Sequence, residues 1–157
     1  MSPPFSPRLS PAQHWALLNA LKDLCRVEWA LRRYSLQTIC NDYGLRLLQV
    51  PAERDTPSAP SEVPSNAPEW PTVDAWALSA LAKRWPLGGG CLRYALAAGR
   101  RLAQHSSAPV VLLLGARKSA AGQFEAHAWL QHAGDRYELR PAPASTTFSP
   151  LGPAGLR

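Results

Sequence analysis

Between residues 51 and 71 the chain places six of its 16 prolines, four acidic side chains against one arginine, and no periodic apolar pattern. Proline removes a backbone donor and fixes φ, so a stretch this dense is neither helix interior nor central strand. It buries too little apolar surface to offset the entropy of ordering, and it reads as an acidic linker or mobile insert. A folded core must therefore come from an N-terminal helical segment, residues 1–50, and a core segment, residues 72–157. Hydrophobic residues are 46% of the 157 and charged residues 18%, which is material for one compact domain with a small appendage.

Several classes of function are excluded by what is missing. The longest apolar runs, such as residues 110–114, fall far short of the ~20 residues that cross a bilayer, so no membrane span is expected. The first residues hold neither an apolar stretch nor a small-residue cleavage site, and a cytoplasmic location follows. Cys25, Cys40 and Cys91 fit neither a disulfide framework nor a zinc site, so they read as reduced thiols, with no metal and no organic cofactor implied. The net charge of +6 is spread along the chain rather than gathered. None of the pairs Lys83-Arg84, Arg100-Arg101 and Arg117-Lys118 lies in an aromatic-rich basic motif, and a nucleic-acid partner is not expected.

The local signals predict helices first and strands last. Ser10-Pro11-Ala12-Gln13 is a capping box with proline at the first helical position, opening a helix to about residue 34. Its apolar face is read as Leu17, Leu18, Leu21, Leu24, Cys25, Trp29 and Leu31, with Lys22, Asp23, Arg26, Arg32 and Arg33 opposite. A shorter helix is predicted over residues 36–43, ended by Gly44. After the insert, Thr72 or Asp74 caps a helix with Val73, Trp76, Ala80 and Leu81 inward, ending before Pro86. Gly88-Gly89-Gly90 then turns into an alanine- and leucine-rich helix. Strands are expected over residues 109–115, 123–131 and 136–140, the last after the turn signal Ala133-Gly134-Asp135, followed by an irregular proline-bearing tail.

Chemistry concentrates at two places. Cys91 falls at a helix N-terminus, where unpaired N–H groups and roughly half a positive charge favour the thiolate. The glycines before it let a substrate carbonyl approach, and the Cys91 N–H is placed to meet an oxyanion. The plainer reading is a small cysteine buried at a helix start. Among the histidines, His14 and His105 sit near helix ends and His132 in an expected turn. His127 stands in Glu125-Ala126-His127-Ala128-Trp129, a strand where alanines leave room for the ring and an aromatic shares its face. Its plainer reading is a core histidine.

Taken in order, the Pro-Leu-Gly-Gly-Gly-Cys-Leu-Arg-Tyr-Ala-Leu segment opening a helix, the apolar strand ending in Gly115-Ala116-Arg117, and Phe124-Glu-Ala-His-Ala-Trp129 resemble the lasso-peptide leader peptidases of the transglutaminase-like superfamily. The resemblance spans about residues 14–151. It implies an α+β, papain-like core in which the cysteine helix packs on an antiparallel sheet, with N-terminal helices. It further implies a cysteine peptidase that removes the leader of a ribosomally made precursor peptide, so that a macrolactam-forming cyclase can close the ring. By the same resemblance Cys91 is the nucleophile and His127 the base and later acid.

The third member departs from the family pattern, because Leu139 stands where an aspartate is usual. Only Glu125, Asp135 and Glu138 are acidic after Cys91. A Gly134-Asp135 turn sets Ala142 opposite His127, whereas a His132-Ala133 loop sets Glu138 there, and Glu138 is the candidate on that count. A Cys-His dyad without an acid, and a non-catalytic scaffold, remain the alternatives. The first 50 residues show no strands for a winged-helix module of the kind that reads leaders in this family, so a separate leader-recognition protein is expected. Arg100 and Arg101 are read as a solvated helix face or as contacts for that partner.

Overall fold

The computed structural model describes residues 9–48, 72–88, 90–118, 124–137, 139 and 149–150; the insert at 51–71 and Glu138 lie outside them. Along the chain run α1 (Pro11–Arg33), α2 (Leu36–Tyr43), β1 (Leu45–Leu48), α3 (Thr72–Lys83), α4 (Gly90–His105), β2 (Val110–Lys118), β3 (Phe124–His132), β4 (Asp135–Tyr137) and β5 (Ser149–Pro150). The fold is α+β. No helix among the described residues is long and apolar enough to cross a membrane.

The α1 cap forms as its sequence demands. The Ser10 hydroxyl accepts from the Gln13 amide at 3.2 Å, and the Gln13 side chain accepts from the Ser10 amide at 2.7 Å. The buried face differs from the one read off the large residues. Ala16, Ala20, Leu24, Val27 and Ala30 are buried, while Trp15, Leu18 and Trp29 are 68%, 59% and 49% exposed. Leu21 and Cys25 are exposed as well. Alanine at the contact lets helix axes approach closely, so a face chosen by side-chain size is displaced around the helix. Likewise α3 buries Ala77, Leu78 and Ala82 and leaves Trp76 exposed.

Ion pairs tie α1 to α4. Asp23 meets Arg101 Nε at 2.6 Å and Arg100 Nη1 at 3.5 Å, and Arg101 also lies 3.7 Å from Asp74. Arg100 and Arg101 are therefore neither a solvated face nor an open docking site, because carboxylates of α1 and α3 hold them. One turn and more along, Glu28 takes Arg93 Nε at 2.6 Å and Arg32 Nε at 3.0 Å. These bonds, Arg93 above all, hold the Glu28 carboxyl at about 2, below its ordinary 4.5.

The sheet has the order β1-β2-β3-β4, with β5 pairing β2 opposite Gly115 and Ala116. It is mixed rather than antiparallel throughout, since β1 runs parallel to β2. The four-residue β1 follows Gly44, whose φ of 72° ends α2 in the left-handed region; so short a strand carries no period to read. The β3–β4 turn is Ala133-Gly134, both at positive φ as a two-residue hairpin requires. It thus takes neither placement counted from the sequence, and His132 pairs with Asp135. His132 belongs to β3 and is buried rather than lying in a turn. In the expected irregular tail, Ser149 and Pro150 pair as β5.

Helix α4 lies on the sheet face that carries Val110, Leu112, Ala128 and Leu130, and one hydrophobic cluster joins all four helices to the strands. At Gly99 the approach is tightest: a Cβ there would stand 2.9 Å from Leu45 and 3.0 Å from Leu130 side-chain atoms. Gly99→Ala is expected to overpack this crossing and, after its gain in helix propensity, to destabilise by about 1–2 kcal/mol, read as a lowered thermal midpoint. A second outcome concerns pH. Since folding depresses the Glu28 pKa, its contribution is complete above about 4.5 and vanishes as pH falls to about 2. In urea unfolding, Glu28→Gln is expected to be less stable than the parent at pH 5–7, with the gap closing below pH 4.5.

Candidate active site

Because α4 opens at Gly90, Cys91 is the second helical residue, half-buried, among N–H groups that have no partner in the first turn. The local sequence makes this placement possible at two glycines. Gly88 adopts φ 68°, which side-chain-bearing residues rarely take. A Cβ on Gly90 would overlap the Ala82 carbonyl oxygen near the end of α3 and stand 3.3 Å from Leu139. The glycine next to the cysteine thus serves the close approach of α3, a packing requirement that the reading of the sequence assigned to substrate access.

Cys91 and His127 line one cleft of about 370 Å³. Gly88, Gly90 and Cys91 form one wall, and Ala126 and His127 of β3 another. Leu139 closes it beyond β4, and Ala82, Lys83 and Trp85 come from the end of α3 and just past it. By alternation Ala126 and His127 point to opposite faces of β3, His127 to the face that carries Trp129. The His127 ring stacks on Trp129 at 5.8 Å between centroids and 22° between planes, and the Arg136 guanidinium lies 4.7 Å from the Trp129 centroid. This column fixes the plane of the imidazole and covers one of its faces with apolar surface.

The other histidines are engaged elsewhere. His14 Nδ1 lies 3.0 Å from the Ser10 carbonyl, His105 ends α4, and both His132 nitrogens are buried without a hydrogen-bond partner among the described residues. Of the other thiols, Cys25 is exposed on α1, and burial pushes Cys40 up to about 11. Asp135 is exposed at the hairpin end opposite His132, away from the cleft lining. Leu139, at the position where an aspartate was sought, is buried and lines the cleft. Trp85 and Lys83 join the lining with no motif to announce them. A second cleft of about 360 Å³, near the end of α1, is lined by Arg26, Trp29, Tyr34 and Tyr43 among others and holds no cysteine or histidine.

A thiol at a helix N-terminus with an imidazole in the same water-accessible cleft has the parts for nucleophilic attack and proton transfer. In comparison with known proteins, the family model of the transglutaminase-like superfamily matches residues 23–152. No curated protein and no solved structure matches the chain.

Thiol reactivity checks this geometry. At pH 7.5 iodoacetamide is expected to label Cys91 and Cys25 while Cys40, protonated and enclosed, reacts only on unfolding. Gly90→Ala is expected to displace the start of α4 and slow labelling of Cys91 by about tenfold, leaving Cys25 unchanged, as peptide mapping with time would read.

Proposed function

The chain belongs to the transglutaminase-like superfamily, which includes cysteine peptidases, and on that premise we propose that it is a cysteine peptidase that removes the leader of a ribosomally synthesised lasso-peptide precursor. The observation that carries the reading is the shared cleft of Cys91 and His127. The Cys91 sulfur attacks the scissile carbonyl as its proton passes to His127. N–H groups at the start of α4 receive the oxyanion. His127 then protonates the departing amine, leaving a thioester on Cys91. Water, deprotonated by His127, hydrolyses the thioester and frees the thiol. In this reading Glu138 orients the His127 ring, and the freed core peptide passes to a macrolactam-forming cyclase.

Leader recognition rests on a separate leader-binding protein. A few residues around one bond give little binding energy to a flexible peptide that must be ordered, whereas delivery raises the local concentration to as much as ~mM. Leu139 in the cleft wall favours a second reading, a non-catalytic binding protein of the same maturation complex, since it stands where the superfamily's acid would.

With precursor and leader-binding protein present, Cys91→Ala is expected to abolish cleavage, and Cys25→Ala and Cys40→Ala to retain it. Glu138→Gln is expected to lower kcat by about tenfold or more if the carboxylate orients the ring. Precursor alone should be cut weakly. Equal cleavage by all three cysteine variants excludes the nucleophile. Absence of cleavage by the parent, with Cys91 no more reactive than free thiol, selects the binding protein.

A further inference from the structure

We propose that Glu28 and Arg93 act as positioning residues for Cys91, clamping the glycine turn in front of it to α1. This inference rests on the reading of Cys91 as nucleophile.

The clamp brackets the cysteine. Arg93, two residues after Cys91, donates from Nη1 to the Gly88 carbonyl, three residues before it, at 2.7 Å. Its Nε donates to Glu28 Oε2 at 2.6 Å. The Glu28 carboxylate is held in turn by Arg32 Nε at 3.0 Å on the next turn of α1. The Arg93 and Glu28 side chains are 14% and 15% exposed, so the charge-assisted bond between them is partly sheltered from water, while the Arg32 and Gly88 bonds lie at the surface. Glycine has the widest backbone freedom of any residue, and Gly88 sits at φ 68°. Such a turn does not hold a carbonyl in place by itself. A guanidinium is a rigid planar fork able to engage two acceptors in fixed relation, which an ammonium is not.

Glu28 offsets part of the positive charge of Arg93 and Arg32, so Arg93 contributes geometry as well as charge, and the helix N-terminus adds its own positive potential at the thiol. The α1–α4 interface contains its own control. Asp23 and Arg101 join the same two helices at the same 2.6 Å, eight residues further along α4, or about 12 Å by helix rise. Neither member of that pair lines the cleft.

The test uses the full chain with Cys25→Ser. Three quantities are read: iodoacetamide rate at Cys91 relative to glutathione, amide exchange over residues 90–94, and thermal midpoint. Arg93→Lys and Glu28→Gln are expected to slow Cys91 by about tenfold and to raise exchange at the start of α4. Asp23→Asn should lower the midpoint while keeping the rate within about twofold. The exchanged pair Glu28→Arg with Arg93→Glu restores an ion pair between the helices but sets a carboxylate against the Gly88 carbonyl; its midpoint should recover and its rate should not. Parent-like rate and exchange in Arg93→Lys and Glu28→Gln, or full recovery of the rate in the exchanged pair, overturns the clamp. A parent whose Cys91 reacts no faster than glutathione overturns the nucleophile instead, and exchange over residues 90–94 still decides the clamp.

Discussion

The close burial of α4 is the constraint on which the molecule depends. Residues 94–99 are buried without interruption, so this helix is enclosed on all sides rather than amphipathic across its middle. It runs between α1 and α3 on one flank and the strands on the other. Only small residues permit that, and Ala95, Ala97, Ala98 and Gly99 supply them. Enclosure fixes the axis of α4, and the fixed axis fixes where its first turn emerges. Cys91 inherits its position from packing on both sides of it, Gly90 against Ala82 before and the buried run that begins at Tyr94 after.

Local chemistry was legible wherever one or two residues determine the backbone. The Ser10 capping box, the Gly44 stop and the helix that opens at Gly90 follow from caps and glycines acting over a few bonds. The union of Cys91 and His127 in one cleft was legible through the resemblance of two short motifs, not through periodicity. What failed was what depends on distant partners. The face that α1 buries is decided by how near α3 and α4 come, so alanine outweighed leucine there. Arg100 and Arg101 are drawn inward by Asp23, 77 and 78 residues away in sequence, which no local pattern encodes. The hairpin turn slipped by one residue from either expected placement, which shifts every cross-strand partner by two positions while keeping its face.

Orientation of the imidazole is the element that the resemblance left most open, and the described residues supply a physical answer to part of it. A carboxylate beside a histidine does two things: it fixes the ring and it stabilises the imidazolium. Stacking on Trp129 contributes to the first without a charge, and the Arg136 guanidinium lies in turn against the indole. Stabilising the imidazolium is a separate electrostatic requirement that an indole meets only through its weakly negative face. In the proposed mechanism Trp129 shares with Glu138 the work of fixing the ring, and Leu139 contributes an apolar side chain to the cleft wall.

On the proposed reading, recognition and reactivity are separate. A cleft of about 370 Å³ is at the small end for ligand pockets and accommodates little more than the residues beside one scissile bond. The binding energy available there is small against the cost of ordering a flexible peptide. Yet the residues around Cys91 are constrained closely: Gly90 against the Ala82 carbonyl, Gly88 against Arg93, and Arg93 against Glu28. Restraint of this kind raises the rate at a bond already delivered and contributes almost nothing to finding it. On the proposed reading α1 braces the cysteine turn through Glu28, and the cost of ordering the leader falls to a second protein rather than to the cleft around Cys91.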